Sequence, residues 1–152
     1  MCALGLCFAF GYNTLYAHFI KAPNDALLGT QDTVKVELLG YAEETSHGAK
    51  VTVKILNRGL PGRAIYYGDA DLMDLAPGAH VTAEALFNSA TDPTGKGLQL
   101  RNFTAKGVYV LLYQRGDPTY DDTNAGALKY LPQRIARTLG ETIERSYSER
   151  EG

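Results

Sequence analysis

The 152-residue sequence contains few cysteines and no block of like charges. Its two cysteines, Cys2 and Cys7, are too few for a disulfide framework or a zinc site. The 15 basic and 17 acidic side chains give a formal charge of −2 without forming a polybasic arm or an acidic tail. A chain of this length suits one domain with extensions, so any anion-binding surface must come from the local arrangement of its cations.

The motifs that support catalysis or metal binding are also missing. The densest acidic group is Asp69, Asp71 and Asp74, but Met73 and Asp74 occupy the positions where a calcium-binding EF-hand loop needs an oxygen ligand and a glycine. The sequence contains neither Gly-x-Ser-x-Gly nor His-Glu-x-x-His, and no phosphate-binding loop with its lysine. We therefore expect no enzymatic activity, no metal site and no cofactor.

The first 20 residues carry no formal charge, and Lys21 closes this run. About 20 apolar residues are enough for a helix to cross a bilayer. A signal peptide is a poor fit, because basic residues do not precede the run and no small-x-small cleavage site follows it. We predict that residues 1–21 form an apolar, membrane-spanning helix, although Asn13, Thr14 and His18 are polar; a buried core helix is the alternative.

A second helix is predicted over residues 127–148, where apolar side chains recur at spacings of three and four. These are Leu128, Leu131, Ile135, Leu139, Ile143 and Tyr147. Pro132 suits the first turn, where its missing N–H costs nothing. The opening turns carry Lys129, Arg134 and Arg137, so the amphipathic helix is compatible with an anionic membrane surface and equally with packing on the domain.

Between the two helices, residues 31–116 show the short alternating runs of a compact β domain. The predicted strands are Thr33–Tyr41, Ala49–Asn57, Arg63–Tyr67, Ala79–Asn88 and Gly107–Gln114. With the segment 98–106 inserted before the last strand, this is the element count of an OB-type barrel, and an SH3-like barrel has nearly the same strand count. Residues 117–126 are predicted to be a polar linker.

The predicted fold class is therefore mainly β: a five-stranded OB-type barrel flanked by an N-terminal apolar membrane helix and a C-terminal amphipathic helix. An OB surface that binds nucleic acid needs a basic groove and aromatic platforms. The candidate nucleic-acid-binding residues are Lys50, Lys54, Arg58, Arg63, Tyr66 and Tyr109, with Tyr67 and Tyr113 as further rings nearby. Residues 31–116 carry nine basic and nine acidic side chains, so binding is expected to be weak and salt-sensitive. The alternative is a solvated strand face whose tyrosines fill the barrel ends.

Several segments occur in a recognisable order. The apolar helix is followed by Leu75–Val81 (LAPGAHV) before the fourth strand and by Phe103–Val108 (FTAKGV) before the fifth. In this order and spacing they resemble the N-terminal region of the ComEC family of bacterial DNA-internalisation competence proteins. Leu131–Ile135 is similar to the start of that family's amphipathic helix. The resemblance covers nearly the whole chain, and Gly97–Gln99 departs from a Phe-Asp-Tyr element that is frequent in the family.

The resemblance implies an extracytoplasmic OB-type domain, anchored in the bacterial cytoplasmic membrane, that contacts incoming DNA during natural transformation. It implies as partners DNA, the membrane and the family's channel and hydrolase-like domains, which are not in this sequence. We therefore assign this chain no transport or nuclease activity of its own. The alternative, which the neutral charge balance favours, is a structural or protein-interaction β module that braces membrane segments without touching DNA.

Overall fold

The computed structural model describes residues 2–90, 103, 105–122 and 128–148; for residues 2–4 and 146–148 it describes the backbone alone. Helix α1 (Cys2–Tyr16) continues through a π-helical turn (Ala17–Lys21) into the short helix α2 (Ala22–Asp25). The strands are β1 (Gln31–Leu38), β2 (Glu43–Thr45), β3 (Gly48–Ile55), β4 (Arg63–Gly68), β5 (His80–Ser89), β6 (Val108–Gln114) and β7 (Thr119–Asp121). Ala70–Asp74 and Leu128–Tyr130 are 3-10 turns, and helix α3 spans Leu131–Ser148.

Five strands close into a barrel. They are hydrogen-bonded in the order β1-β3-β4-β6-β5, and β1 also pairs with β5 from Gln31↔Leu86 to Glu37↔His80. The β4–β6 pair is parallel and the other pairs are antiparallel, so the barrel is mixed. Strand β2 extends the sheet beside β3, and β7 extends it beside β5. The predicted OB-like barrel is thus confirmed, with two additional strands.

The barrel interior follows from the alternation of apolar residues along the strands, because successive side chains point to opposite faces. Val34, Val36 and Leu38 of β1 are fully buried, and the buried residues of β3 and β5 alternate in the same way. The largest fully buried side chains include Tyr66 of β4, Phe87 of β5 and Leu112 of β6. One hydrophobic core therefore fills the barrel.

A second, smaller apolar cluster lies on the outer face of β4 and β6. It consists of the buried residues Ile65, Ala90, Val108 and Leu111, with Tyr67, Phe103 and Tyr113 packed against them. Strand β4 is consequently apolar on both faces, unlike β3, whose outward residues are Lys50, Thr52 and Lys54. Alternation along β4 places Tyr66 in the barrel core and Tyr67 on this outer face.

The β2–β3 hairpin turns tightly through Ser46 and His47. Gly48, which follows, has φ 130°, and a Cβ there would clash with the carbonyl oxygen of Gly68 on β4. Glycine is required because only a residue without a side chain tolerates both the backbone conformation and the close approach.

Part of the predicted linker belongs to the barrel. Within 117–126, Thr119–Asp121 forms β7 and pairs with the start of β5. Tyr120 packs against the main core, which explains why this polar stretch becomes a strand. Residues 123–127 and most of the predicted insertion 98–106, together with Gly97–Gln99, lie outside the described residues.

The predicted membrane span over residues 1–21 requires a correction. In the part of the chain that the structure describes, no helix combines the length and the hydropathy that crossing a bilayer requires. Two features account for this: α1 has only 15 residues before the π-helical turn, and Asn13, Thr14 and His18 make the apolar run more polar. The alternative of a buried core helix is not seen either, since Phe8 and Phe10 of α1 are exposed.

The predicted C-terminal amphipathic helix is present as α3, and Pro132 lies in its first turn. Tyr130, immediately before α3, is buried against the barrel. Further along, Ile135, Leu139 and Ile143 remain about half exposed. The start of the helix therefore packs on the domain.

Candidate nucleic-acid interface

The outer face of β3 and β4 forms the floor of a groove of about 750 Å³. One wall is the β1–β2 connection, including Tyr41, and another is Phe103 and Lys106, which precede β6. The third wall is the segment that leads into α3, with Lys129, Tyr130 and Gln133. We call this cavity the groove.

The strand register places the cations of the groove floor. Lys50 of β3 lies opposite Tyr67 of β4, and Thr52 lies opposite Ile65. Val53 pairs with Ala64, so the outward residues that follow, Lys54 and Arg63, are neighbours at the other end of the floor. The floor is therefore cationic at both ends, with Thr52 and Ile65 between them.

The charge of the groove differs from that of the domain. Its lining includes five basic and two acidic side chains, an excess of three positive charges. These are Lys50, Lys54, Arg63, Lys106 and Lys129, with Glu37 and Glu43. Residues 31–116 as a whole are neutral. The fold thus concentrates positive charge at one face, and such a surface attracts polyanions.

The cations of the floor are available to a ligand. Lys50 Nζ lies 3.0 Å from Glu43 Oε2, but both side chains are largely exposed, so solvent screens this pair and it contributes little. No carboxylate of the described residues lies within 4.0 Å of the charged groups of Lys54 or Arg63. Phosphate oxygens can therefore approach Lys54 and Arg63 without displacing a strong internal partner.

Glu37 and Lys129 form the most enclosed ion pair at the groove. Lys129 Nζ donates a hydrogen bond of 2.8 Å to Glu37 Oε1, and Glu37 is only 8% exposed. Burial by itself would raise the pKa of Glu37, but Lys129 and the neighbouring Tyr130 outweigh it and hold that pKa below its ordinary value. The same hydrogen bond raises the pKa of Lys129.

This pair predicts a pH dependence of stability. Because the pKa of Glu37 is lower in the folded chain, the pair's stabilisation is complete above the unfolded pKa, about 4.3, and is lost as the pH falls through the folded value. We expect the difference in thermal unfolding midpoint between the wild type and Glu37→Gln to shrink when the pH is lowered from about 7 to about 3. A constant difference across that range would contradict the assignment.

Two tyrosines form a stacked pair on the outer face of β4 and β6. The ring centroids of Tyr67 and Tyr113 are 4.9 Å apart, and the ring planes differ by 8°. The pair borders a second cavity of about 770 Å³, with His47 and Arg115 also in its lining. Burial raises the pKa of Tyr67, and the nearby Lys50 opposes this rise. The stacked pair is thus next to a cation of the groove floor.

The structure places some of the candidate residues from the sequence in the groove and others outside it. Lys50, Lys54 and Arg63 line the groove together. Arg58 is outside it, in the turn between β3 and β4, where its guanidinium bonds to the Asp32 carboxylate and holds the pKa of that carboxyl below its usual range.

Neither tyrosine of the candidate set lines the groove. Tyr66 is fully buried inside the barrel, and its hydroxyl lies 3.1 Å from the side-chain oxygen of Gln114. Tyr109 packs edge-on against Tyr16 of the N-terminal helix, with centroids 6.0 Å apart. A base cannot stack on the enclosed ring of Tyr66, and the stacked rings of Tyr67 and Tyr113 line the second cavity and not the groove.

The described residues contain no group of three or more His, Cys, Asp or Glu side chains arranged to hold a metal ion. The polar lining of the groove consists of lysine, arginine, glutamate, threonine, tyrosine and glutamine side chains. Together with the apolar lining residues, these side chains offer a ligand cations, hydrogen-bond donors and an apolar strip.

The structure is thus an OB-like barrel with a positively charged groove on one face. In chain order, β3 and β4 are the second and third strands of the closed barrel, and OB folds bind oligonucleotides and oligosaccharides on the face of those strands. No family model matches the chain, and no curated protein or solved structure is significantly similar to it. The resemblance to the ComEC family therefore stays a prediction.

Proposed function

We propose that this protein is the OB-type domain of a ComEC-like DNA-uptake protein and that its groove contacts incoming DNA. The observation that carries the proposal is the excess of three positive charges in the groove lining at the β3–β4 face, in a domain whose residues 31–116 are neutral as a whole. The sequence resemblance supports a position outside the bacterial cytoplasmic membrane, with the family's channel and hydrolase-like domains as partners.

The geometry favours a single strand as the ligand. Lys50, Lys54 and Arg63 offer charge to the phosphodiester backbone, and unpaired bases can stack on aromatic rings such as Tyr67 and Tyr113. Duplex DNA keeps its bases stacked on each other and would use only the cations. The rings therefore give single-stranded DNA an additional contribution.

The direct test is fluorescence anisotropy of the full chain with labelled oligothymidylate of about 20 nucleotides, longer than the site of one OB fold, and with a duplex of equal length. Three phosphate contacts predict that log K for the single strand falls with log[salt] with a slope of about −2. Absence of binding at low salt by protein that circular dichroism shows to be folded would overturn the proposal.

The stacked tyrosines provide a sharper test. We expect Tyr67→Ala or Tyr113→Ala to weaken single-strand binding about 5- to 150-fold, because stacking contributes about 1–3 kcal/mol per base. Tyr67→Phe should bind as the wild type does, because a phenyl ring also stacks. Tyr12→Ala, which removes an exposed ring from α1, is the matched control. Equal affinities for Tyr67→Ala and Tyr12→Ala would show that the tyrosine pair is not part of the binding site.

A second candidate function rests on the exposed apolar side chains of the two helices. Phe8 and Phe10 of α1, and Leu139 and Ile143 of α3, are each more than half exposed. Large exposed apolar surfaces mark interaction sites. This observation favours a structural module that braces other segments or binds a protein without DNA contact, and failure of DNA binding by the folded chain would select it.

A further inference from the structure

The segment that leads into α3 is attached to the barrel at the rim of the groove. Tyr130 is 3% exposed, and Lys129 bonds to Glu37 of β1. In the second turn of the helix, the Arg137 guanidinium lies 4.4 Å from the ring centroid of Tyr41. Because Tyr41 and Lys129 also line the groove, the same contacts fix the helix and build two of the groove walls.

Beyond Arg137, the described side chains of α3 are exposed to solvent. Its ion pair, Arg137–Glu141, lies within the helix and is exposed. Its apolar residues after the first turn are about half exposed. Docking of the helix therefore depends on a few contacts, and a helix held by so few contacts can dock and undock with a modest change in free energy.

We infer that the start of α3 is a wall of the binding site and that nucleic-acid binding and docking of α3 are coupled. This inference rests on the proposed function. In the docked state the positive charge of Lys129 offsets the Glu37 carboxylate at the groove. In the undocked state the groove loses that cation and the Glu37 carboxylate faces the phosphates alone. A bound strand therefore favours the docked helix, and by reciprocity the docked helix strengthens binding.

The coupling is measured by hydrogen exchange on the full chain, with and without saturating oligothymidylate. We expect the backbone amides of residues 131–137 to exchange several-fold more slowly in the complex, since binding that stabilises docking suppresses local opening. Unchanged exchange in a complex that anisotropy shows to be saturated would overturn the inference and leave the proposed function standing. No binding by the folded wild type would overturn both.

A charge-matched double variant distinguishes the effect of helix docking on DNA affinity from the effect of the net charge of the groove. Glu37→Gln with Lys129→Gln removes one negative and one positive charge, so the groove keeps its excess of three. If docking matters, this variant binds several-fold more weakly than the wild type and its α3 amides exchange faster. If only net charge matters, its affinity equals that of the wild type, and the inference fails.

The matched control is Arg145→Gln. It removes one positive charge from the same helix, about 24 Å along the axis from Lys129, at 1.5 Å per residue. This exceeds the screening length of about 8 Å at physiological salt. We expect unchanged affinity and unchanged exchange for this variant, and an effect as large as that of Lys129→Gln would also overturn the inference.

Discussion

Replacing Lys50, Lys54 and Arg63 together by alanine is expected to reduce the affinity for single-stranded DNA about 100-fold near 0.1 M salt. The estimate follows from counterion release, in which each phosphate contact with a single strand contributes about 0.7 to the slope of log K against log[salt]. The three residues lie on one outward face of β3 and β4, so the variant removes the whole cationic floor. Anisotropy across a salt series measures both the loss and the shallower slope.

The control for this variant is the triple change of Lys21, Lys35 and Arg58 to alanine. It lowers the net charge by the same amount, but all three residues lie outside the groove. We expect nearly unchanged affinity, because none of these three side chains lines the groove. If both triple variants lose affinity equally, DNA responds to the overall charge of the protein and the groove is not its binding site.

Tyr66→Ala is expected to unfold the barrel or to bring it close to unfolding. The ring is fully buried among strands from around the barrel, and truncation of a buried aromatic side chain costs about 3–5 kcal/mol. A typical domain has a free energy of unfolding of only about 5–15 kcal/mol. Tyr67→Ala, at the next residue, removes a partly exposed ring and should cost markedly less. Urea unfolding of the two variants tests this, and equal losses would contradict the assignment of faces on β4.

Tyr66→Phe isolates the hydroxyl of the same residue. It keeps the ring in the core and removes one hydrogen bond to Gln114, whose side-chain oxygen still lies 3.4 Å from the Asp69 amide nitrogen. We expect a loss of about 1 kcal/mol, as for an ordinary intramolecular hydrogen bond. A loss as large as that for Tyr66→Ala would mean that the polar contact, and not ring packing, carries the stability of this site.

The inward faces of β1 and β3 were predictable from the sequence because only one face of each strand is apolar. Val51 and Val53 alternate with lysine and threonine, so the sequence leaves no doubt about which side is buried. On β4 the same reasoning fails. Ile65 is apolar like its inward neighbours because it packs in the outer cluster, and a register shift between Arg63 and Ala64 disturbs the pairing with β6. The inward Tyr66 and the outward Tyr67 consequently look alike in the sequence.

The groove itself could be predicted only in part. Its floor cations come from neighbouring strands, and alternation alone selects Lys50 and Lys54. Lys129, by contrast, reaches Glu37 across 92 residues of sequence, and no local pattern indicates such a contact. Tyr120 is similar: it lies in a polar stretch, and only its burial against the finished barrel makes that stretch a strand. Both features depend on tertiary structure.

The position of β6 has a consequence for how the chain reaches its native state. This strand is inserted between β4 and β5, both of which precede it in the chain. Until residues 108–114 have been synthesised and have docked, β4 and β5 each present an unpaired edge, and free edges are templates for pairing with other chains. We expect shortened chains that end before residue 108 to aggregate, and we expect barrel closure to be slow, because it must wait for pairing between segments distant in sequence.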